Sequence, residues 1–237
     1  MKMKKKLEVE NLDVYYGKHN VLSGVSIYLN TGEIVALLGR NGTGKTTLIK
    51  AILGLIRPVK GRIKVDGIDI TGWHPKKVVE LGIAVVPQGA RIFPDLTVME
   101  NLKINNKNFQ EEKLHEVLEF FPQIKEKLDL KGKTLSGGER QMVSIVRALL
   151  RDPSIILMDE PFAALMPKIV EQLKELILSL SEKNVTFLII EQNIQQVLEI
   201  SDRAYILSGG KISCEGVADK FLNDPKELAR CMGIIVS

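Results

Sequence analysis

Cysteine and histidine are scarce in this chain of 237 residues, and long apolar runs are missing altogether. Cys214 and Cys231 are too few for a disulfide framework and lack metal-ligand spacing, which points to a reducing cytosol. His19, His74 and His115 lie away from every motif, so they read as surface or packing residues rather than metal ligands. The longest apolar stretches, such as residues 34–38 and 187–190, fall far short of the roughly 20 residues that cross a bilayer. The chain is therefore not expected to span a membrane by itself. Its lysine-rich start runs into the charged segment 7–11 and not into an apolar core, so no secretory signal is read there. A surplus of one charge is lacking too. The net charge is +4, and Lys2, Lys4, Lys5 and Lys6 account for all of it. No global basic field remains for bulk binding of nucleic acid, which needs many phosphate contacts. The short basic tail reads as a solvated, frayed terminus.

What is present is the composition of a soluble globular domain, 45% hydrophobic and 26% charged, at a length that buries a substantial core. Residues 7–28 alternate apolar and polar around the turn at Tyr16-Gly17-Lys18, as antiparallel strands do. From residue 34 the pattern changes to fully apolar strands at 34–38, 83–86, 155–158 and 185–190, which suit a parallel α/β sheet buried on both faces. Between Pro87 and Leu150 the spacing is helical, notably over 111–121 and 139–150, and predicts a helical insertion. Two short strands, 204–207 and 211–213, meet at Gly209-Gly210, with helices expected at 217–222 and 225–232. No linker-like segment separates the parts, so one compact unit of two lobes is expected.

Three motifs carry chemistry. Gly39-Arg40-Asn41-Gly42-Thr43-Gly44-Lys45-Thr46-Thr47 satisfies G-x-x-x-x-G-K-[ST] between an apolar strand and a helical stretch. Such a loop turns backbone N–H groups around an anion at a helix N-terminus, while Lys45 neutralises the β- and γ-phosphates and Thr46 offers a hydroxyl to Mg²⁺. A kinase, a GTPase or a motor could own that cradle. The second motif narrows the choice. The apolar strand 155–158 delivers Asp159 and Glu160 to its C-terminal end, where open α/β sheets bind ligands. Strand alternation sends the two carboxylates different ways, Asp159 towards Mg²⁺ and Glu160 towards a water that attacks the γ-phosphate. The third is Leu135-Ser136-Gly137-Gly138-Glu139, opening an amphipathic helix. It offers a second set of N–H donors to an anion, which could serve a nucleotide held by another copy. A simple N-cap role for Ser136 is physically sound as well.

In this order and spacing, the three motifs resemble the ATP-binding subunit of an ABC transporter. The resemblance spans nearly the whole chain. It implies an α/β fold: a P-loop NTPase core (1–87 and 151–237) with a mainly parallel sheet, a small antiparallel β-layer, and a helical subdomain (88–150). It implies that Tyr16 stacks on adenine and that Gln88 reaches Mg²⁺ and the attacking water. Residues 91–101 would face a membrane-embedded permease. Two cassettes, identical or different, would pack head to tail, each ATP lying between residues 39–46 of one and 136–139 of the other. A solute-binding protein would act indirectly, no nucleic acid would be involved, and the chain would sit peripherally on the inner face of the cell membrane.

Two positions depart from the common family pattern. Gln192, in Glu191-Gln192-Asn193, stands where many relatives have a switch histidine, and Met166 stands where an aspartate usually crosses to the opposite subunit. Both features resemble the ATPase subunits of branched-chain amino-acid importers and the related urea importers. Gln88 leans a little towards the urea type or a divergent amino-acid system, because the amino-acid subgroup often has glutamate there. A lipid-export ATPase and a soluble ABC ATPase acting on nucleic acid are the competing readings.

Overall fold

The computed structural model describes residues 4–104, 106 and 109–234. The chain opens with an antiparallel hairpin, β1 (Lys5–Tyr16) and β2 (His19–Asn30), then enters the apolar strand β3 (Ile34–Leu38) and helix α1 (Lys45–Ile52). Strands β4 (Lys60–Val65) and β5 (Ile68–Asp69) and helix α2 (Pro75–Glu80) lead to β6 (Ile83–Val86). Helices α3 (Val98–Lys103), α4 (Glu111–Glu119), α5 (Pro122–Lys125) and α6 (Gly137–Leu149) come next. Strand β7 (Ile155–Asp159), helix α7 (Pro167–Glu182), strand β8 (Thr186–Ile190) and helix α8 (Ile194–Leu198) then alternate. The hairpin β9 (Arg203–Ser208) and β10 (Lys211–Val217) precedes α9 (Ala218–Asn223) and α10 (Pro225–Cys231).

These strands form two sheets. One is antiparallel in the order β2-β1-β4-β5; the other runs β10-β9-β3-β8-β7-β6 and is parallel throughout except for the β9–β10 hairpin. The larger sheet is apolar on both faces, and strand periodicity sorts its side chains between two cores. Ala36, Leu38, Ile156, Met158 and Ile189 point to the helical side, where α4, α6 and α7 cover them. Val35, Leu37, Leu157, Leu188 and Ile190 point the other way, against α1 and the inward residues Leu7, Val9, Leu22 and Ile27 of the antiparallel sheet. The antiparallel layer was expected from residues 7–28, yet it also recruits β4 and β5. The alternation Lys60, Arg62, Lys64 hides β4 because its outward face is all basic.

Two expectations need correction. The amino-terminal lysines are not a frayed tail: Lys5 and Lys6 belong to β1, Lys6 bonds Asp66 at 2.6 Å, and Lys5 bonds Glu8 at 2.7 Å. Lys2 lies outside the described residues. Nor do the two cysteines bear out the reading of thiols kept reduced. Because α9 and α10 fold back along β10, Cys214 and Cys231 come to a Cα separation of 5.7 Å and are joined in a disulfide. Spacing along the chain carried no signal of that return.

A polar knot ties the two sheets. The Arg203 guanidinium lies over the Tyr28 ring, 4.2 Å from its centroid, donates to the Tyr28 carbonyl at 2.8 Å, and pairs with Glu33, whose side chain is 5% exposed. Tyr205, wholly buried, accepts from the Tyr28 N–H at 3.2 Å and from Arg203 at 3.0 Å. Removing one partner of such a pair strands the other's charge in a dry place. Arg203→Ala is therefore expected to lower unfolding free energy by about 3 kcal/mol, read from urea denaturation; a loss within about 0.5 kcal/mol, as at an ordinary surface position, would refute the tie.

Candidate active site

The parallel strands bring the motifs together. Leu37 of β3 and Asp159 of β7 both pair with Ile190 of β8, and Met158 of β7 pairs with Val86 of β6. Four strands thus end at one level, and the segments that follow them surround a cavity of about 280 Å³. Asn41, Gly42, Gly44, Lys45, Thr46 and Thr47 line it from the loop after β3. Asp159, Glu160, Gln88 and Gln192 line it from the ends of the other three strands, and Val21 of β2 closes one wall.

The loop's shape follows from its residues. Gly44 caps α1 at φ 107°, and a Cβ there would stand 2.6 Å from the Leu22 side chain, so no other residue fits without displacement. Thr43 Oγ1 donates to the Arg40 carbonyl at 2.9 Å and closes the turn. Lys45, 7% exposed, donates to the carbonyls of Gly39 at 2.7 Å and Arg40 at 3.0 Å. Burial lowers the Lys45 pKa, with the charges of Glu160 and Asp159 acting in the opposite direction. Gly39, Arg40 and Thr43 thereby shape the loop through their backbone and hydroxyl groups without lining the cavity.

Across the cavity, Thr46 Oγ1 donates to Asp159 Oδ2 at 2.8 Å. Asp159 is 3% exposed; burial raises its pKa, and neighbouring Glu160 adds to the rise. A hydroxyl beside a carboxylate is an all-oxygen donor set, which suits a hard divalent cation such as Mg²⁺. The desolvated carboxylate is the group whose charge such a cation would favour, so these residues fit Mg²⁺. Glu160 adopts φ 55°, its N–H donates to the Ile190 carbonyl at 2.8 Å, and its Oε1 accepts from Gln192 Nε2 at 2.6 Å. Glu191, 4% exposed, accepts from the Phe162 N–H at 2.8 Å and the Gln192 N–H at 3.1 Å. Burial raises the Glu191 pKa against those backbone donors.

Two predicted sets stand apart from the cavity. Tyr16, 48% exposed, pairs with His19 at the β1–β2 turn and is not in the lining, although its hairpin reaches the cavity through Val21. Ser136 caps α6: its Oγ accepts from the Glu139 N–H at 3.3 Å, while Glu139 accepts from the Ser136 N–H at 2.8 Å. Lys127 bonds the same carboxylate, and these contacts lower the Glu139 pKa. Leu135 is buried, and Gly137 and Gly138 form the first turn of α6. Val21 and Glu191 were not singled out from sequence. Val21 carries no signal that separates it from any other strand residue, whereas a charge just after the apolar strand β8 was a visible one.

A phosphate loop, a buried aspartate facing its threonine, and a glutamate lining the same cavity define a P-loop nucleoside-triphosphate hydrolase. The ABC transporter family profile matches residues 22–163, and the chain belongs to that family. It is 39% identical to the high-affinity branched-chain amino acid transport ATP-binding protein BraG of Pseudomonas aeruginosa, over 93% of this chain and 96% of that one. Against the probable branched-chain amino acid transport ATP-binding protein LivF of Archaeoglobus fulgidus the identity is 38%, over 97% and 99%. The lipopolysaccharide export system ATP-binding protein LptB of Haemophilus influenzae is 40% identical over 92% and 93%. Among solved structures, the ADP conformation of the cassette MJ1267 aligns with TM-score 0.81 at 34% identity, covering 97% of this chain and 99% of that one. Among the described residues no helix is long and apolar enough to cross a membrane.

The buried Asp159 charge has a measurable signature. A carboxylate whose folded pKa is raised destabilises the fold above its unfolded value, so Asp159→Asn should stabilise the protein in EDTA at neutral pH. That gain should shrink as pH falls through the raised value and vanish below about 4, the ordinary aspartate range. Urea denaturation of both proteins from pH 4 to 8 checks it; an Asn variant less stable at pH 7 contradicts it.

Proposed function

We propose that the chain is the ATP-hydrolysing subunit of an importer for branched-chain amino acids, peripheral on the cytoplasmic face of the membrane. The convergence of Lys45, Thr46, Asp159, Glu160, Gln88 and Gln192 on one cavity carries the catalytic part. Gly39 to Thr47 hold the ATP phosphates, with Lys45 neutralising the β- and γ-oxygens, and Tyr16 stacks on the base. Thr46, Gln88 and Asp159 would hold Mg²⁺. Bound there, the ion would offset charge on the β- and γ-phosphates. Glu160 accepts a proton from the attacking water as its oxygen bonds the γ-phosphorus and the bond to the β-phosphate breaks, releasing ADP and phosphate. Gln192 orients Glu160 and hydrogen-bonds the γ-phosphate, and has no titrating proton to contribute.

Leu135, Ser136, Gly137, Gly138 and Glu139 then serve the nucleotide of a second ABC subunit in a head-to-tail pair, identical or different. Residues 88–150 act as the helical subdomain and residues 1–87 with 151–237 as the nucleotide-binding core, with 91–101 facing the permease and the solute-binding protein acting through that permease. ATP closes the pair to the extent that it binds the closed state better. The relatives named for branched-chain amino acid transport support this solute, as do Gln192 and the exposed Met166 of the importer-like pattern. The similarity to lipopolysaccharide export ATPases favours lipid export as the second reading. Co-purification separates the two: an amino-acid permease as partner supports the first, a lipid-export permease the second.

Glu160→Gln should bind MgATP yet turn over at least about 100-fold more slowly, the scale for a lost general base; full turnover rejects Glu160 in that role. Gln192→His should strengthen the pH dependence of kcat near neutrality, which Gln192 keeps weak in the parent because no imidazole titrates there. Superimposable pH–rate profiles would separate position 192 from the chemistry.

A further inference from the structure

Glu191 is the most enclosed carboxylate at this edge of the sheet that the proposed reaction leaves without a task. It immediately follows β8, with 4% of its surface exposed, and a carboxylate so placed demands donors. Both its oxygens have one: Oε1 takes the Phe162 N–H at 2.8 Å and Oε2 the Gln192 N–H at 3.1 Å. The two donors belong to different segments. Gln192 lies in the bend just after β8 and holds Glu160 Oε1 at 2.6 Å. Phe162 belongs to the turn after Glu160, and that turn is gripped again where Gln141 of α6 donates to the Pro161 carbonyl at 3.2 Å. Two residues further on, the same turn meets the start of α6 so closely that a Cβ on Gly138 would lie 2.7 Å from the Ala164 carbonyl oxygen. A single side chain thus bridges the Gln192 segment and the turn that runs from Glu160 to the Ser136–Glu139 region.

We propose that Glu191 is a positioning residue: its carboxylate locks the Glu160–Gln192 pair in place and fixes that pair relative to the N-terminal turn of α6. Without the carboxylate, two backbone donors lose their acceptor, and the turn carrying Glu160, already at φ 55°, loses the bond that fixes its exit. Glu160 then drifts from the geometry that hydrolysis requires, while the phosphate loop on β3 and α1 keeps its shape. The inference rests on Glu160 acting as the base.

The test uses Glu191→Ala and Glu191→Gln in the full chain, with Glu160→Gln assayed beside them. In Glu191→Ala, kcat for ATP should fall between about 10- and 100-fold, the range for a misplaced reacting group, with KM within threefold of the parent. Glu191→Gln keeps the volume and one acceptor and should fall between the two. Amide hydrogen exchange without nucleotide supplies the second readout: Phe162 and Gln192 should exchange faster in Glu191→Ala, while β3 and α1 stay protected. Unchanged exchange at both amides, a kcat within twofold of the parent in both variants, or a KM that rises in step with the fall in kcat overturns the proposal. Full turnover by Glu160→Gln removes instead the assignment of the base, and the exchange result still reports on the bridge.

Discussion

The common endpoint of β3, β8, β7 and β6 is the constraint from which the rest follows. Parallel strands can stop at one level only if their connections return outside the sheet, and here the helices provide those returns. The pairing of Leu37 and Asp159 with the same residue, Ile190, sets the phosphate loop, the buried Asp159 and the Glu-Gln-Asn segment side by side. A shift of one residue in β8 would exchange its two faces, sending Leu188 and Ile190 into the helical core and Ile189 out of it. The apolar packing on both sides therefore holds the register of the cavity residues, although none of those apolar residues lines the cavity.

That edge concentrates charges in a place that disfavours them. Lys45, Asp159 and Glu191 are each less than a tenth exposed, and burial moves each pKa towards the neutral form. Stability alone would not select three ionisable groups there. Lys45 and Asp159 line the cavity, where the proposed polyanion and its counter-ion would compensate their charges, whereas Glu191 lies outside the lining and is met by backbone donors. The Arg203–Glu33 pair between the sheets is different in kind: stacking on Tyr28 and several hydrogen bonds satisfy it within the protein, so it needs no ligand.

The phosphate loop and the Ser136–Glu139 turn are built on different principles. The phosphate loop is a bent backbone that only glycine at position 44 permits. The Ser136–Glu139 turn is a reciprocal capping box, complete within itself. Ser136 therefore is an N-cap, as its local chemistry allowed, while the proposed function assigns the neighbouring N–H groups of α6 to a facing cassette. Family membership supplies the reason to read it so; the capping geometry alone is common to many helices.

How much could be read from the residues alone depended on the range over which each signal acts. Strand periodicity located β3, β6 and β7 to within a residue, because burial on both faces writes itself into a continuous apolar run. The phosphate loop and Asp159-Glu160 were legible because each needs fixed residue types at fixed spacing. The basic strand β4, the short helices α2 and α5, and the wall formed by Val21 were not, since nothing local distinguishes them. Which strands lie next to one another, that Cys214 meets Cys231, and that Glu191 reaches Phe162 were decided by tertiary structure. Each joins segments brought together by packing, and the free energy that selects such contacts comes from surfaces buried throughout the molecule, which no short stretch of sequence contains.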